Sequence, residues 1–147
     1  MLAEVLGRRT ALAVKSAASG EAPRPGTIHV APPDHHLTVT PERTFAFNSG
    51  ARVNHMRSAA DPLFVSAAEV YQDRVVAIVL TGGDGDGAEG ARAVGLAGGI
   101  VIAQNEATSQ VFSMPRATIA TGHADMVLAI EEIGPALLRL SETGSLT

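Results

Sequence analysis

Residues 75–90 read VVAIVLTGGDGDGAEG, and the fold turns on how this stretch is understood. Val75 to Leu80 are six consecutive apolar residues, the pattern of a central parallel strand covered on both faces. A glycine-rich turn follows, and then the small-residue segment GAEGARAVGLAGG, which reads as a helix ending at Gly98 and Gly99. IVIAQ is the next strand. Strand, turn, helix and strand in this rhythm predict a parallel α/β sheet with right-handed crossovers.

Upstream, ADPLFVSAAEVYQ predicts a helix, with Asp61 as its cap and Pro62 at its first position. Leu63, Ala67, Val70 and Tyr71 recur at helical spacing. Downstream, SMPRATIATG reads as loop and then short helix from Ser113 and Pro115, MVLAI as a last strand, and EEIGPALLRLSE as a closing helix. The first third is less regular. MLAEVLGRR resembles the last turns of a helix, TALAV and TIHVAPP are candidate strands, HHLTVT alternates as a half-buried strand does, and TFAFNSG closes the irregular region.

The chain has 147 residues, enough for one domain with an ordinary core, and no internal repeat or second domain is visible. Aromatic residues make up 3%, so Ala, Val, Leu and Ile must build that core. A net charge of −4 with no block of Lys or Arg argues against nucleic acid or an acidic membrane as partner. The absence of cysteine excludes a disulfide scaffold, a thiol nucleophile and a thiolate metal site. The N-terminus lacks the basic start of a signal peptide, and no apolar run approaches the roughly 20 residues of a membrane helix. A cytoplasmic protein is expected.

The glycine loop admits three chemistries. Gly85-x-Gly87-x-x-Gly90 matches a dinucleotide fingerprint, and Glu106 lies where a ribose-binding acid would. Asp84 and Asp86 oppose that reading, because each would repel a pyrophosphate by about 1 kcal/mol per charge pair even with water-like screening. Alternatively, Asp86 only caps the helix that follows it. In the third reading Asp86 is chemical: a carboxylate at the carboxyl end of a parallel strand orients and charge-stabilises a histidine in a hydrolytic triad. A metal reading of the two aspartates lacks further ligands at calcium-loop spacing, and the sequence calls for no cofactor and no metal.

Several blocks in order carry a resemblance: PGTIHVAPPDHHL, DPLFVSAA, VVAIVLTGGDGDGAEG and GGIVIAQNEATSQVFSMPRATI. Together they resemble the catalytic domain of the CheB-type protein-glutamate methylesterases of bacterial chemotaxis. The resemblance implies a doubly wound, mostly parallel, Rossmann-like three-layer sheet flanked by helices. It also implies a hydrolase that removes methyl esters from glutamates on chemoreceptor helices, releasing methanol, through a Ser-His-Asp triad; related members deamidate receptor glutamines. Matched motif to motif, Asp86 is the triad acid. Gly83 takes the place of the backbone donor to the oxyanion, a type of contact worth roughly 3 kcal/mol of transition-state stabilisation. Arg57, Met114, Pro115, Arg116 and His36 are expected around the substrate cleft, with a turn histidine satisfied by backbone groups as the other reading of His36.

The pattern also breaks. The family's serine lies in a G-A-S-x-G-G-like turn and its histidine in a Q-H-x-P-like context, and neither motif occurs here. Around VNHMRSAADPLF the family's R-x-R-P-S-x-D segment is altered at His55, Met56, Ser58 and Ala59. Residues 1–147 thus read as a single partial domain lacking the first two strands, without a receiver domain, and inactive or nearly so alone. Exposed sheet edges would favour self-association. A catalytically inactive receptor-binding or oligomerisation module, and a nucleotide-binding Rossmann-like domain, are the other two functions considered.

Overall fold

The computed structural model describes residues 11–32, 34–48, 60–83 and 86–144. Strand β1 (Ala13–Ser16) pairs in parallel with β2 (Thr27–Val30), Ala13 facing Thr27 and Ser16 facing Val30. Strands β3 (His36–Val39) and β4 (Phe45–Asn48) form an antiparallel hairpin in which His36 faces Asn48 and Val39 faces Phe45. The expected irregular close at TFAFNSG is corrected by this hairpin. The Thr40 and Thr44 hydroxyls meet at 2.8 Å, the Arg43 N–H donates to the Thr40 carbonyl at 2.8 Å, and Arg43 takes a left-handed φ of 63°. Phe45 is then turned inward, where it packs with Leu37, Ala17 and Leu63 in a first apolar cluster.

Helix α1 (Ala60–Tyr71) leads through a short 3-10 turn (Gln72–Arg74) into β5 (Val76–Val79). Then follow α2 (Ala88–Leu96), β6 (Ile100–Gln104), α3 (Ser113–Ala120), β7 (Met126–Leu128) and α4 (Ile130–Thr143). Strands β5, β6 and β7 make a parallel sheet with β6 in the middle; Val76 faces Ile100 and Gln104 faces Leu128. The fold is α/β, as expected. One placement differs. The apolar run ending in β5 predicts a central strand, yet β6 is the strand whose Val101, Ile102 and Ala103 are fully buried. Strand β5 pairs only with β6 among the described residues, so its residues are covered alternately: Ala77 and Val79 are buried while Val76 and Leu80 are exposed.

The second apolar cluster joins Ala68 of α1, Ala77 of β5, Ala91 and Val94 of α2 and Val101 of β6, with Phe64 packed on it. These residues are small, as the composition requires, and they let α1 and α2 pack closely. The first-third reading holds for β2 and β3, whereas TALAV is displaced, since β1 runs from Ala13 to Ser16. The helix expected in MLAEVLGRR lies outside the described residues. Helix α4 starts one residue before the expected EEIG, because the Glu132 carboxylate reaches back to accept the Ala129 N–H at 2.9 Å.

Candidate active site

Asp86 stands at the carboxyl end of β5, 8% exposed, one residue before the left-handed Gly87 (φ 98°) that opens α2. Local rules predict that Asp86 caps α2 and that Asp61 caps α1. The structure crosses the two. The Asp86 Oδ2 atom accepts the Ala60 N–H at 2.7 Å and its Oδ1 the Asp61 N–H at 3.3 Å, so Asp86 binds the first two amides of α1. The Asp61 Oδ1 atom in turn accepts the Gly90 N–H of α2 at 2.8 Å. The first amides of α1 are held by a carboxylate that lies just ahead of α2, an early amide of α2 is held by a carboxylate of α1, and the positive ends of both dipoles converge on the pair. The exchange depends on close approach, since a Cβ on Gly90 would run into Phe64 Cβ, with two ring carbons at 3.0 and 3.1 Å.

The Asp61 carboxyl is perturbed by its surroundings. Burial pushes the Asp61 carboxyl above its ordinary 3.8, and the charges of Asp86 and Glu89 add to the push. The Gly90 and Gly87 amides oppose it. Asp86 is the more deeply buried acid, and its two oxygens are held by backbone amides.

The loop between β5 and Asp86 is fixed from two sides. Below it, Gln104 ends β6 at 2% exposure and spends both ends of its amide. Its Oε1 accepts the Thr81 N–H at 2.8 Å, while its Nε2 donates to the Thr108 carbonyl at 2.8 Å and to the Thr108 hydroxyl at 3.2 Å. That hydroxyl donates to Asn105 Oδ1 at 2.6 Å and accepts the Ile130 N–H at 3.2 Å, linking the loops after β5, β6 and β7. Above it, the Gly82 N–H donates to the Val111 carbonyl at 2.9 Å and the Met114 N–H to the Gly82 carbonyl at 3.0 Å. Thr81 Oγ1 accepts the Val111 N–H at 2.8 Å.

Gly82 is thereby fully engaged, and its missing side chain is what lets Met114 Sδ lie against it. Gly83 is the contrast. It is exposed, has nothing within 4 Å of a Cβ position, and makes no hydrogen bond among the described residues. An open amide three residues before a buried, immobilised carboxylate is an arrangement suited to acyl transfer. It is poorly suited to phosphate, because Asp61 already occupies the Gly90 amide at the start of α2.

Of the remaining candidates, Met114 supports the loop, Pro115 is fully buried in α3, and Arg116 is exposed with its guanidinium 5.6 Å from the Phe112 ring centre. Pro115 therefore packs inside the fold. His36 is 2% exposed and begins β3. It is a strand residue rather than a turn histidine, and it is almost wholly buried. Arg57 and Asp84 lie outside the described residues, as do Ser49, His55 and Ser58. No serine or histidine among the described residues hydrogen-bonds to Asp86.

Two residues escaped the sequence reading. Gln104 stands in the sequence only as part of the block GGIVIAQNEATSQVFSMPRATI, with no role of its own. Asp61 reads as the cap of its own helix and as the acid that remains of the R-x-R-P-S-x-D segment, neither of which points to Gly90.

A family model described as CheB methylesterase matches residues 1–137. A putative protein-glutamate methylesterase/protein-glutamine glutaminase of Leptospira interrogans is 36% identical over 138 residues, which cover 94% of this chain and 72% of that protein. The protein-glutamate methylesterase/protein-glutamine glutaminase 2 of Caulobacter vibrioides is 43% identical over 138 residues, 91% of this chain and 40% of its own length. The crystal structure of the Thermotoga maritima CheB methylesterase catalytic domain superposes with a TM-score of 0.92 at 37% identity, over 95% of this chain and 75% of that one.

Proposed function

The chain belongs to the CheB methylesterase family, and from that premise we propose that it contributes the acid and oxyanion side of a protein-glutamate methylesterase site. The substrate is a glutamate methyl ester on the cytoplasmic helices of a chemoreceptor, and the chain works in the cytoplasm. In this reading a serine hydroxyl attacks the ester carbonyl while a histidine takes its proton, and Asp86 orients that histidine and stabilises its positive charge. The Gly83 N–H donates to the carbonyl oxygen as it becomes an oxyanion. Methanol leaves with the proton the histidine returns, and water then frees the glutamate carboxylate by the same route. Glutamine side chains, which differ in losing ammonia instead of methanol, fit the same chemistry. The observation that carries the reading is Asp86: a buried carboxylate held by two backbone amides at the end of β5, with an open amide three residues before it. Among the described residues no helix is long and apolar enough to cross a membrane.

The test is methanol release from a methyl-labelled receptor fragment. The chain is assayed alone and mixed with the quarter of the Thermotoga domain that it does not span. The chain alone is expected to release none above background. The mixture is expected to release methanol, and Asp86→Asn to cut that release by about 10⁴-fold, the usual scale for loss of a triad acid. Undiminished release from the Asp86→Asn mixture would refute the role of Asp86. Full release from residues 1–147 alone would show that the serine and histidine of the reaction lie within them.

A further inference from the structure

The crossed carboxylates assign a task to Asp61 that the triad pattern leaves open. Asp86 can hold its place only if the amides of Ala60 and Asp61 stay aimed at it, and both belong to the first turn of α1. Nothing on α2 does this work, since its cap is Gly87, which has no side chain to offer. Besides the Gly87 amide that also acts on Asp61, two contacts hold the start of α1 against α2. One is Phe64 seated on Gly90. The other is the Asp61 carboxylate on the Gly90 N–H. A single residue therefore gives its N–H to Asp86 and takes an N–H from the helix that Asp86 precedes.

We propose that Asp61 is the positioning residue of Asp86, tying α1 to α2 so that the amides of Ala60 and Asp61 clamp the Asp86 carboxylate. This rests on Asp86 being the triad acid. A merely structural Asp61 would cap α2 and leave the α1 amides where they are. The oxygen of Asp61 does the holding rather than its charge: asparagine is as good a cap acceptor, and burial already works against the charged form.

The experiment has two arms, each comparing Asp61→Ala with Asp61→Asn. In the 147-residue chain, the Ala60 amide proton is followed by NMR, because its shift reports the bond to Asp86 Oδ2. Asp61→Ala is expected to move it upfield, and Asp61→Asn to leave it near the native position. In the methanol-release mixture, assayed well below the melting temperature of each variant, Asp61→Ala is expected to lower kcat by about 10²-fold with KM unchanged, the scale set by a misplacement of about 1 Å. Asp61→Asn is expected to restore most of the rate. If Asp61→Ala does not fold, Asp61→Ser, whose hydroxyl is a shorter acceptor, is read in its place with intermediate shift and rate. An unmoved Ala60 amide, or a native kcat, in folded Asp61→Ala overturns the proposal. If the wild-type mixture releases no methanol, the methylesterase reading fails, while the amide arm still decides whether Asp61 positions Asp86.

Discussion

Gly90→Ala sets two known effects against each other at the junction of α1 and α2. Alanine in place of glycine in a helix is favoured by about 1 kcal/mol, so propensity alone predicts a more stable protein. The new Cβ, however, would meet Phe64 Cβ and two ring carbons at 3.0 and 3.1 Å, all inside normal contact. The nearest atom is a Cβ, fixed to the backbone of α1, so no rotamer change removes the overlap and the helices must separate. Overpacking of this kind costs about 1–3 kcal/mol. Separation also lengthens the Gly90 N–H bond to Asp61, now 2.8 Å, and such a hydrogen bond is worth about 0.5–1.5 kcal/mol. The losses exceed the gain, and a net destabilisation of about 2 kcal/mol is expected. Urea unfolding followed by circular dichroism measures it: at an m-value of about 2 kcal/mol per molar, the midpoint falls by roughly 1 M with m unchanged. Trimming Phe64 to alanine in the same chain should recover little, because the Cβ contact remains. A Gly90→Ala chain as stable as the parent would show that α1 and α2 do not meet as described.

Three further outcomes are expected. Asp61 holds its proton to higher pH when folded than when unfolded, so its contribution to stability is greatest below pH 3.8 and falls as pH rises through its folded value. Asp61→Asn removes that slope, and its stability relative to the parent should rise between pH 3.5 and 7 in paired denaturation curves; Asp86→Asn, by removing a neighbouring charge, should lower the Asp61 titration midpoint seen by carboxyl NMR. Gln104→Leu strands the Thr81 N–H and the Thr108 carbonyl, and a loss of about 2 kcal/mol in urea unfolding is expected; a neutral result would mean the linked loops gain nothing from the amide. Gly82→Ala overlaps Met114 Sδ and should lower the melting temperature, with Met114→Ala in the same chain recovering part of the loss.

The sequence announced the parts of this molecule that are local and hid those that join distant segments. The apolar runs of β5 and β6, and the small-residue helix α2 between them, were legible because periodicity and flanking glycines act within a dozen residues. The hairpin partner Phe45–Asn48 was not, because only two of its four residues are aromatic and the pinch between Thr40 and Thr44 has no glycine to mark it. Asp86 was legible as a candidate site residue through the order of motifs. Its actual hold was not, because the amides it binds are 25 and 26 residues earlier in the chain. The same distance misled the capping rule at Asp61, whose acceptor oxygen serves a donor 29 residues later. Which of β5 and β6 is central depends on neighbours that no single strand records.

The exchange of carboxylates between α1 and α2 has a consequence for how this region forms. A helix of nine or twelve residues is too short to persist alone in water, and here the Ala60 and Asp61 amides of α1 bind Asp86 while the Gly90 amide of α2 binds Asp61. Peptides spanning only 60–71 or only 86–97 should therefore be unstructured, while one spanning both can close the exchange. During folding neither helix gains its cap until the other is beside it, so the two should appear together in one kinetic step. In the native protein, fraying of one uncaps the other, and protease attack near Ala60 should expose sites near Gly90 at the same rate.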